Sequence, residues 1–524
     1  MDARHQRLRV RSATALMFST VLFAAPASAG SQAIPNDLTG ALQQVSGVRM
    51  HQMVGELSAS AFRGRQSGTD QDLQSARYVA DQFRALGLRE GGDTDLPSTT
   101  SPNRFAMTVP VPVTRITEAP HLVVSTDTGT LSAQHGTDFL SILDSPAVKV
   151  TAPLVFVGYG ISDPAGGLDE YAGIEVRNRI VMFLRGKPDR YPMPVSQAEK
   201  ERLARERGAV AYLTVTGPVI GAYEARRGPT GKPIGAYGQT TEDLRLPGGW
   251  ISTALGENIL AAQGRSLRDS QNLLNNELRP QSFATAAQAT LTWESLHETG
   301  VLYNVLGLIP GRDGPDENTI VIGAHRDHLG QQGSLMFPGA DDNASGTAVL
   351  LEVARVLTGL GITPKRSLLF ISFSGEEQGL IGSRLYVRRA TRPLDKTTVM
   401  INIDHAGVGN GRLTVGVTGV SMDVAREAGR LAQLEDKLDV FGFFPGGDHV
   451  PFKEAGVPTI TVVTSGPHRD IHQATDTADK VQPAILETVA RYALAAVWLL
   501  AQPPVSPTQT GIEARPPAEQ PAAR

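Results

Sequence analysis

The sequence predicts an α/β fold: a mostly parallel mixed sheet flanked by helices, with a β-rich module inserted into the chain. Three observations predict it. Residues 318–324, 367–373, 398–403 and 458–463 are near-continuous apolar runs, the pattern of strands buried on both faces. Apolar residues at helical spacing fill the intervals at 347–360, 380–389 and 424–434. From about 150 to 285 the texture changes to short strands in a Gly- and Pro-rich setting.

Taken in order, residues 1–29 read as a signal peptide. Arg4, Arg7, Arg9 and Arg11 precede an apolar run at 13–25 and then Ala27-Ser28-Ala29, a small-residue cleavage site. The run is too short for the roughly 20 residues a membrane crossing needs, and no other stretch approaches that length, so no membrane span is expected in the mature chain. The expected location is the periplasm or the outside of a bacterium, after cleavage at Ala29.

Residues 30–149 form the first part of the main domain. They hold Gly-Arg-Gln-Ser-Gly-Thr (64–69) and a helix over 70–86, with Leu73, Ala76, Val79, Ala80, Phe83 and Leu86 on one face and Gly87 as its C-cap. Residues 89–104 read as a loop. In the insert, 150–285, the runs at 153–160 and 179–185 are strands. Residues 286–501 complete the main domain and end in a helix at about 480–500; the Pro/Ala-rich 502–524 is expected to be disordered.

Composition narrows the chemistry. The 524 residues leave room for two to four domains at roughly 150 residues each. A net charge of -4 argues against a nucleic-acid partner, which selects a strongly basic surface. With no cysteine, thiol nucleophiles, zinc fingers, iron–sulfur clusters and disulfides are excluded, and any metal must sit on His, Asp and Glu. Six of the eleven histidines, His325, His328, His405, His449, His468 and His472, fall within one acid-rich stretch.

In open α/β sheets ligands bind beyond the carboxyl ends of the strands. The first apolar run leads into His325-Arg326-Asp327-His328, the second into Glu376-Glu377, the third into Asp404-His405, and the fourth is followed by His468 and His472. Asp341-Asp342 opens the helix at 347. Each residue alone is more often a satisfied polar group or a helix cap. Five segments converging on one rim supply the two imidazoles, two terminal carboxylates and bridging carboxylate of a co-catalytic metal pair.

The segments Gly-Ala-His325-Arg-Asp327-His-Leu-Gly, Gly-Ala-Asp341-Asp342-Asn-Ala-Ser-Gly, Ser-Gly-Glu376-Glu377-Gln-Gly, Ile-Asn-Ile-Asp404, Asp448-His449-Val-Pro-Phe452 and Ile-His472-Gln-Ala-Thr-Asp-Thr resemble the co-catalytic di-zinc aminopeptidases. These are the bacterial leucyl aminopeptidase relatives, whose wider family includes glutamate carboxypeptidase and glutaminyl cyclase. The resemblance spans 36–110 and 290–500 and implies a zinc-exopeptidase-like fold. Residues 150–285 look like the protease-associated domain often inserted in that family.

By resemblance, His325 and Asp404 hold one zinc, Glu377 and His472 the other, and Asp342, four residues before Gly346, bridges them. Glu376 is the general base, Asp327 orients His325, and the Asp342–Asn343 peptide is the candidate for the family's cis bond. Two Zn²⁺ per chain are implied, with Mn or Co as alternatives. Arg326 and His405 depart from the family pattern beside ligands, so an unusual substrate preference is expected. His405 is read as lining the pocket or backing a ligand, with an additional ligand as the alternative, and His328, His449 and His468 are read as backing the ligands or lying at the rim.

The implied function is a secreted aminopeptidase acting on peptide substrates. Alternatives are a carboxypeptidase, for which Arg226-Arg227 would have to grip a carboxylate, a glutaminyl cyclase, or a non-catalytic binding ectodomain on the same fold. These motifs carry no information on oligomeric state.

Overall fold

The structure is a computed structural model that describes residues 36–501 apart from 98–103, 221–230, 239–244, 313, 315–317 and 362. The expected signal peptide, the tail at 502–524 and the Arg226-Arg227 pair lie outside the described residues.

The main sheet runs Leu335–Met336, Gln331–Gln332, Ala106–Ile116, Ser295–Ile309, Ser367–Phe373, Thr319–His325, Thr397–Ile403, Thr459–Thr464, Leu413–Thr418, Leu438–Phe441. Its centre, the four strands from Ser367–Phe373 to Thr459–Thr464, is parallel and coincides with the four apolar runs. Antiparallel neighbours flank it: Ser295–Ile309 on one side, itself paired with Ala106–Ile116, and Leu413–Thr418 on the other. Parallel pairing recurs only at the margins, where Leu438–Phe441 joins Leu413–Thr418 and Gln332 meets Ile116.

Those runs are continuous in sequence because both faces are buried. Ile320, Ile322 and Ala324 join one core with Leu368, Phe370, Val399 and Ile401, while Val321 joins another with Leu369, Ile371 and Met400. Each such side chain contributes about 1.5–3 kcal/mol on burial. The first core is covered by helices Gly47–Leu57, Asp70–Ala85, Gly346–Gly359 and Pro483–Ala501, the second by Ile381–Arg388 and His449–Glu454.

Helix Asp70–Ala85 starts at Thr69, whose hydroxyl accepts from Asp72 N, and stops where Gly87 turns left-handed at φ 75. Arg89–Glu90, read as loop, instead pairs with Leu308 and Gly307 at the sheet margin. Pro483–Ala501 is, against expectation, long and apolar enough to cross a membrane by length and composition. Here most of it is buried, and it packs on Gly47–Leu57, Gly346–Gly359 and Met422–Leu431.

A second, eight-stranded sheet runs Gly129–Ser132, His121–Thr126, Phe283–Trp293, Val148–Phe156, Ile180–Leu184, Ala211–Val215, Gly248–Ile251, Phe139–Ser141. It has its own core around Leu154, Phe156, Met182, Leu213, Ile251 and Leu291. The second unit therefore begins near residue 117 rather than 150 and closes at Trp293 rather than 285. Strands 121–141 are short and polar on their outer face, so nothing local separates them from the main domain; only pairing with the later strands places them in the insert.

Candidate metal centre

The four parallel strands end together, and their carboxyl edge gathers the candidate residues. His325 is the last residue of its strand; Asp404 immediately follows Thr397–Ile403; Glu376 and Glu377 lie on the turn after Ser367–Phe373. Asp341 and Asp342 come from the kinked turn Ala340–Ser345, where Asp342 (φ -109, ψ 95) leaves helical geometry and its peptide to Asn343 is cis. Gly339 makes the kink possible: it sits at φ 59, and a Cβ there would lie 2.5 Å from the Asp342 carbonyl and from the His328 ring. Asp476 holds the kink by accepting Asp341 N at 2.9 Å and Asp342 N at 3.1 Å.

Around Asp342 the side chains form two clusters. His325 Nε2 lies 3.4 Å from Asp342 Oδ1 and 3.3 Å from Asp404 Oδ1. His472 Nε2 lies 3.0 Å from Asp342 Oδ2 and 3.2 Å from Glu377 Oε2. The two oxygens of Asp342 thus face different imidazoles. The ligand atoms of His325, Asp342 and Asp404 converge as a metal-capable group, as do those of His328, Asp342 and Glu377. Four of the five expected ligands, His325, Asp342, Glu377 and Asp404, fall in these groups; His328 takes the place expected of His472, which lies 3.0 Å from Asp342 Oδ2.

Asp327 is beside them: its backbone carbonyl is 3.3 Å from His325 Nδ1 and its carboxylate 3.7 Å, while Oδ1 accepts Glu376 N at 3.3 Å. It ties the histidine to the turn bearing Glu376. His328 is not at the rim but fully buried, its Nδ1 2.6 Å from Glu377 Oε1. Asp448 and His449 are buried too, and His449 packs against Phe443 and Phe444.

The electrostatics follow from this crowding. Burial by itself lowers the pKa of His325, but Asp404 and Glu376 more than reverse it and hold it well above the ordinary value. His472 is likewise raised by Glu377 and Asp342 against its desolvation. Glu377 goes the other way: burial raises it, yet His472 and His328 bring it down to about 2. Glu376 is pushed well up, first by desolvation and then by Glu377, Asp448 and Asp404, with His325 opposing. Adjacent carboxyls driven apart in this way suit different tasks.

Arg326 corrects one expectation. Its guanidinium points away from the rim into a sealed network, 2.6 Å from Asp72 Oδ1, with Ser75 Oγ at 3.0 Å and the carbonyls of Ser372 and Phe373 at 3.1 and 3.3 Å. It braces the strand ends and does not reach the pocket. Arg65, from the 64–69 motif, is equally buried and donates to the carbonyls of Leu57, Arg326, Pro338 and Gly339.

The insert also reaches the site. His472 Nδ1 lies 3.0 Å from the Gly235 carbonyl, and Gly235 N donates to His472 O at 2.8 Å. Tyr237 Oη meets Gln378 Nε2 at 3.3 Å, and Leu140, Leu143 and Tyr237 pack with Leu329 and Phe337 of the main domain. Nothing local marks Gly235 or Asp476 as partners of the site; Asp476 lies within a motif segment, Gly235 in a glycine-rich stretch.

A parallel sheet whose carboxyl edge arranges two imidazole–carboxylate groups about a shared aspartate presents a candidate metal-binding site. Residues 304–497 match peptidase family M28, so the chain carries a domain of that family. Aminopeptidase YwaD of Bacillus subtilis (strain 168) is 30% identical over 207 residues, which is 37% of this chain and 44% of that protein. The match spans about half the length of the curated relatives. Among solved structures, an aminopeptidase from Aneurinibacillus sp. strain AM-1 superposes with a TM-score of 0.62 at 23% identity, covering 89% of this chain and 96% of its own. A Peptidase M28 precursor from Shewanella amazonensis SB2B gives 0.65 at 19% identity, covering 92% and 98%. Both share the whole fold, insert region included.

Proposed function

We propose that the protein is an exported zinc aminopeptidase that removes N-terminal residues from peptides. The observation that carries this reading is Asp342, whose two oxygens face His325 and His472, with Asp404 and Glu377 completing the two groups. The residues fit a pair of divalent ions: the donors are two imidazoles and three carboxylates, and Asp327 Oδ2 and His328 Nε2 are buried beside them without hydrogen-bond partners. On this reading His325 and Asp404 hold one ion, His472 and Glu377 the other, and Asp342 both. When bound, such ions acidify a water and polarise the scissile carbonyl.

The remaining steps belong to the chain. Glu377 is kept ionised by His472 and His328 and serves as a ligand. Glu376, with its raised proton affinity, takes the proton of the attacking water and returns it to the leaving amine. Asp327 holds both His325 and the Glu376 turn. The insert, which we read as a protease-associated domain, reaches the site through Gly235 and Tyr237. Export rests on the charged and apolar pattern of residues 1–29, and N-terminal sequencing of the secreted chain checks cleavage after Ala29.

The test is hydrolysis of a panel of aminoacyl chromogenic amides, free and N-blocked, with and without a chelator. The expected result is chelator-sensitive cleavage of the free-amine substrates alone. Cleavage of N-blocked substrates, or none with two ions bound, overturns the aminopeptidase reading in favour of a carboxypeptidase or cyclase. A folded chain that binds no metal supports the binding ectodomain.

A further inference from the structure

One cluster beside the proposed pair has no part in it. Asp341, His405 and His468 lie close in sequence to the proposed ligands: Asp341 precedes Asp342, His405 follows Asp404, and His468 lies on the segment leading to His472. Asp341 and His468 are paired with each other, and His405 keeps a bare nitrogen beside them. Asp341 Oδ1 accepts Gly407 N at 2.8 Å and Val408 N at 3.0 Å, and its Oδ2 faces His468. His468 Nε2 faces the Thr464 carbonyl at 3.2 Å, which aims its Nδ1 at Asp341 Oδ2, 2.6 Å away. A histidine held through one nitrogen by a backbone carbonyl presents the other as a ligand.

His405 completes the set. Its backbone is left-handed at φ 43, its ring centroid is 5.3 Å from that of His468, and its Nδ1 is buried without a hydrogen-bond partner, 3.9 Å from Asp341 Oδ2. Its Nε2 is turned toward Asp404 Oδ1 at 3.8 Å. One ligand atom from each of the three residues lies within 4.8 Å of the others, the same convergence as in the two groups around Asp342. A buried imidazole nitrogen left bare is costly, and a cation there would satisfy it together with Asp341 and His468.

We infer that Asp341, His405 and His468 form a third metal site, selective for a borderline divalent ion such as Zn²⁺ or Co²⁺. Two imidazoles in three donors disfavour Mg²⁺ and Ca²⁺. Three protein ligands leave a coordination position open. This inference adds to the proposed peptidase reading and does not require turnover.

The test uses the untagged, chelator-stripped chain titrated with Co²⁺, with circular dichroism to verify the fold. Wild type is expected to take up three equivalents and His405→Ala two. Because the chain has no cysteine, His405→Cys gives a second readout: a thiolate–cobalt charge-transfer band in the near ultraviolet, arising only with the third equivalent. Saturation of wild type at two, both lost in Asp342→Asn, overturns the third site while leaving the proposed pair intact. A thiolate band that grows with the first two equivalents also overturns it, since position 405 would then belong to the pair. A folded wild type that binds no ion overturns both readings.

Discussion

Replacing Arg326 by methionine isolates the sealed network behind the strand ends. In the native fold Asp72 and Arg326 are both fully buried and 2.6 Å apart. Ser374 Oγ donates to Asp72 at 3.0 Å and Gly68 N at 3.1 Å. Losing one partner of a buried pair leaves a desolvated charge and costs about 3–5 kcal/mol at neutral pH, whereas replacing both by neutral side chains is often close to neutral.

The pH dependence follows from Asp72. Burial raises its pKa from 3.8 to about 6, with Arg326 opposing. A carboxyl with a raised folded pKa loses stability as pH climbs from the unfolded toward the folded value. Without Arg326 the folded value rises further, so the loss extends through pH 7. At pH 5 Asp72 is protonated in both folded proteins, so the part of the cost that comes from an unpaired buried charge disappears and the difference shrinks. Urea unfolding of wild type, Arg326→Met and the double variant with Asp72→Asn at pH 5 and pH 7 measures this. A cost below about 1 kcal/mol at pH 7, or one that does not grow between pH 5 and pH 7, refutes the argument. KM should be unchanged in variants that fold, because Arg326 does not line the pocket.

Glu376→Gln should keep the wild-type metal content by elemental analysis while kcat falls by about 10²–10⁴ or more; loss of metal instead would mean the roles of Glu376 and Glu377 are exchanged. In Gly235→Val the new side chain meets Leu329 Cδ1, already 2.6 Å from a Cβ at that position, and displaces the carbonyl that faces His472. Metal affinity measured by chelator competition should drop about 10–100-fold, and an unchanged affinity removes the insert from the site's support. In the insert, burial raises Glu170 to about 7, with the Ile161 and Tyr159 amides and Lys200 opposing. Its contribution to stability should fall between pH 4.5 and 7 by on the order of 3 kcal/mol, and the wild-type advantage over Glu170→Gln should shrink across that window; a flat difference curve contradicts this.

The central strands and their helices were legible because burial on both faces writes itself as unbroken apolar runs such as 367–373, and helical spacing such as Leu73, Ala76, Val79, Ala80 and Phe83 is equally local. The ligand candidates were legible for a related reason: in a parallel sheet, residues that close consecutive strands meet at one edge, so His325, Glu377 and Asp404 converge whatever the loops do. Arg326 could not be placed in this way. Its neighbours in sequence are site residues, but its side chain leaves on the opposite side of the backbone to meet Asp72, 254 positions earlier in the chain.

Long-range pairing decided the rest. Strands 121–141 belong to the insert because later strands hydrogen-bond to them, Gly235 reaches His472 across 237 positions, and His405 meets Asp341 across a strand boundary. A sequence records periodicity and residue type along the chain. It carries no local mark of a contact whose two halves have each an ordinary appearance, because such a contact exists only once the sheet has brought them within hydrogen-bonding distance.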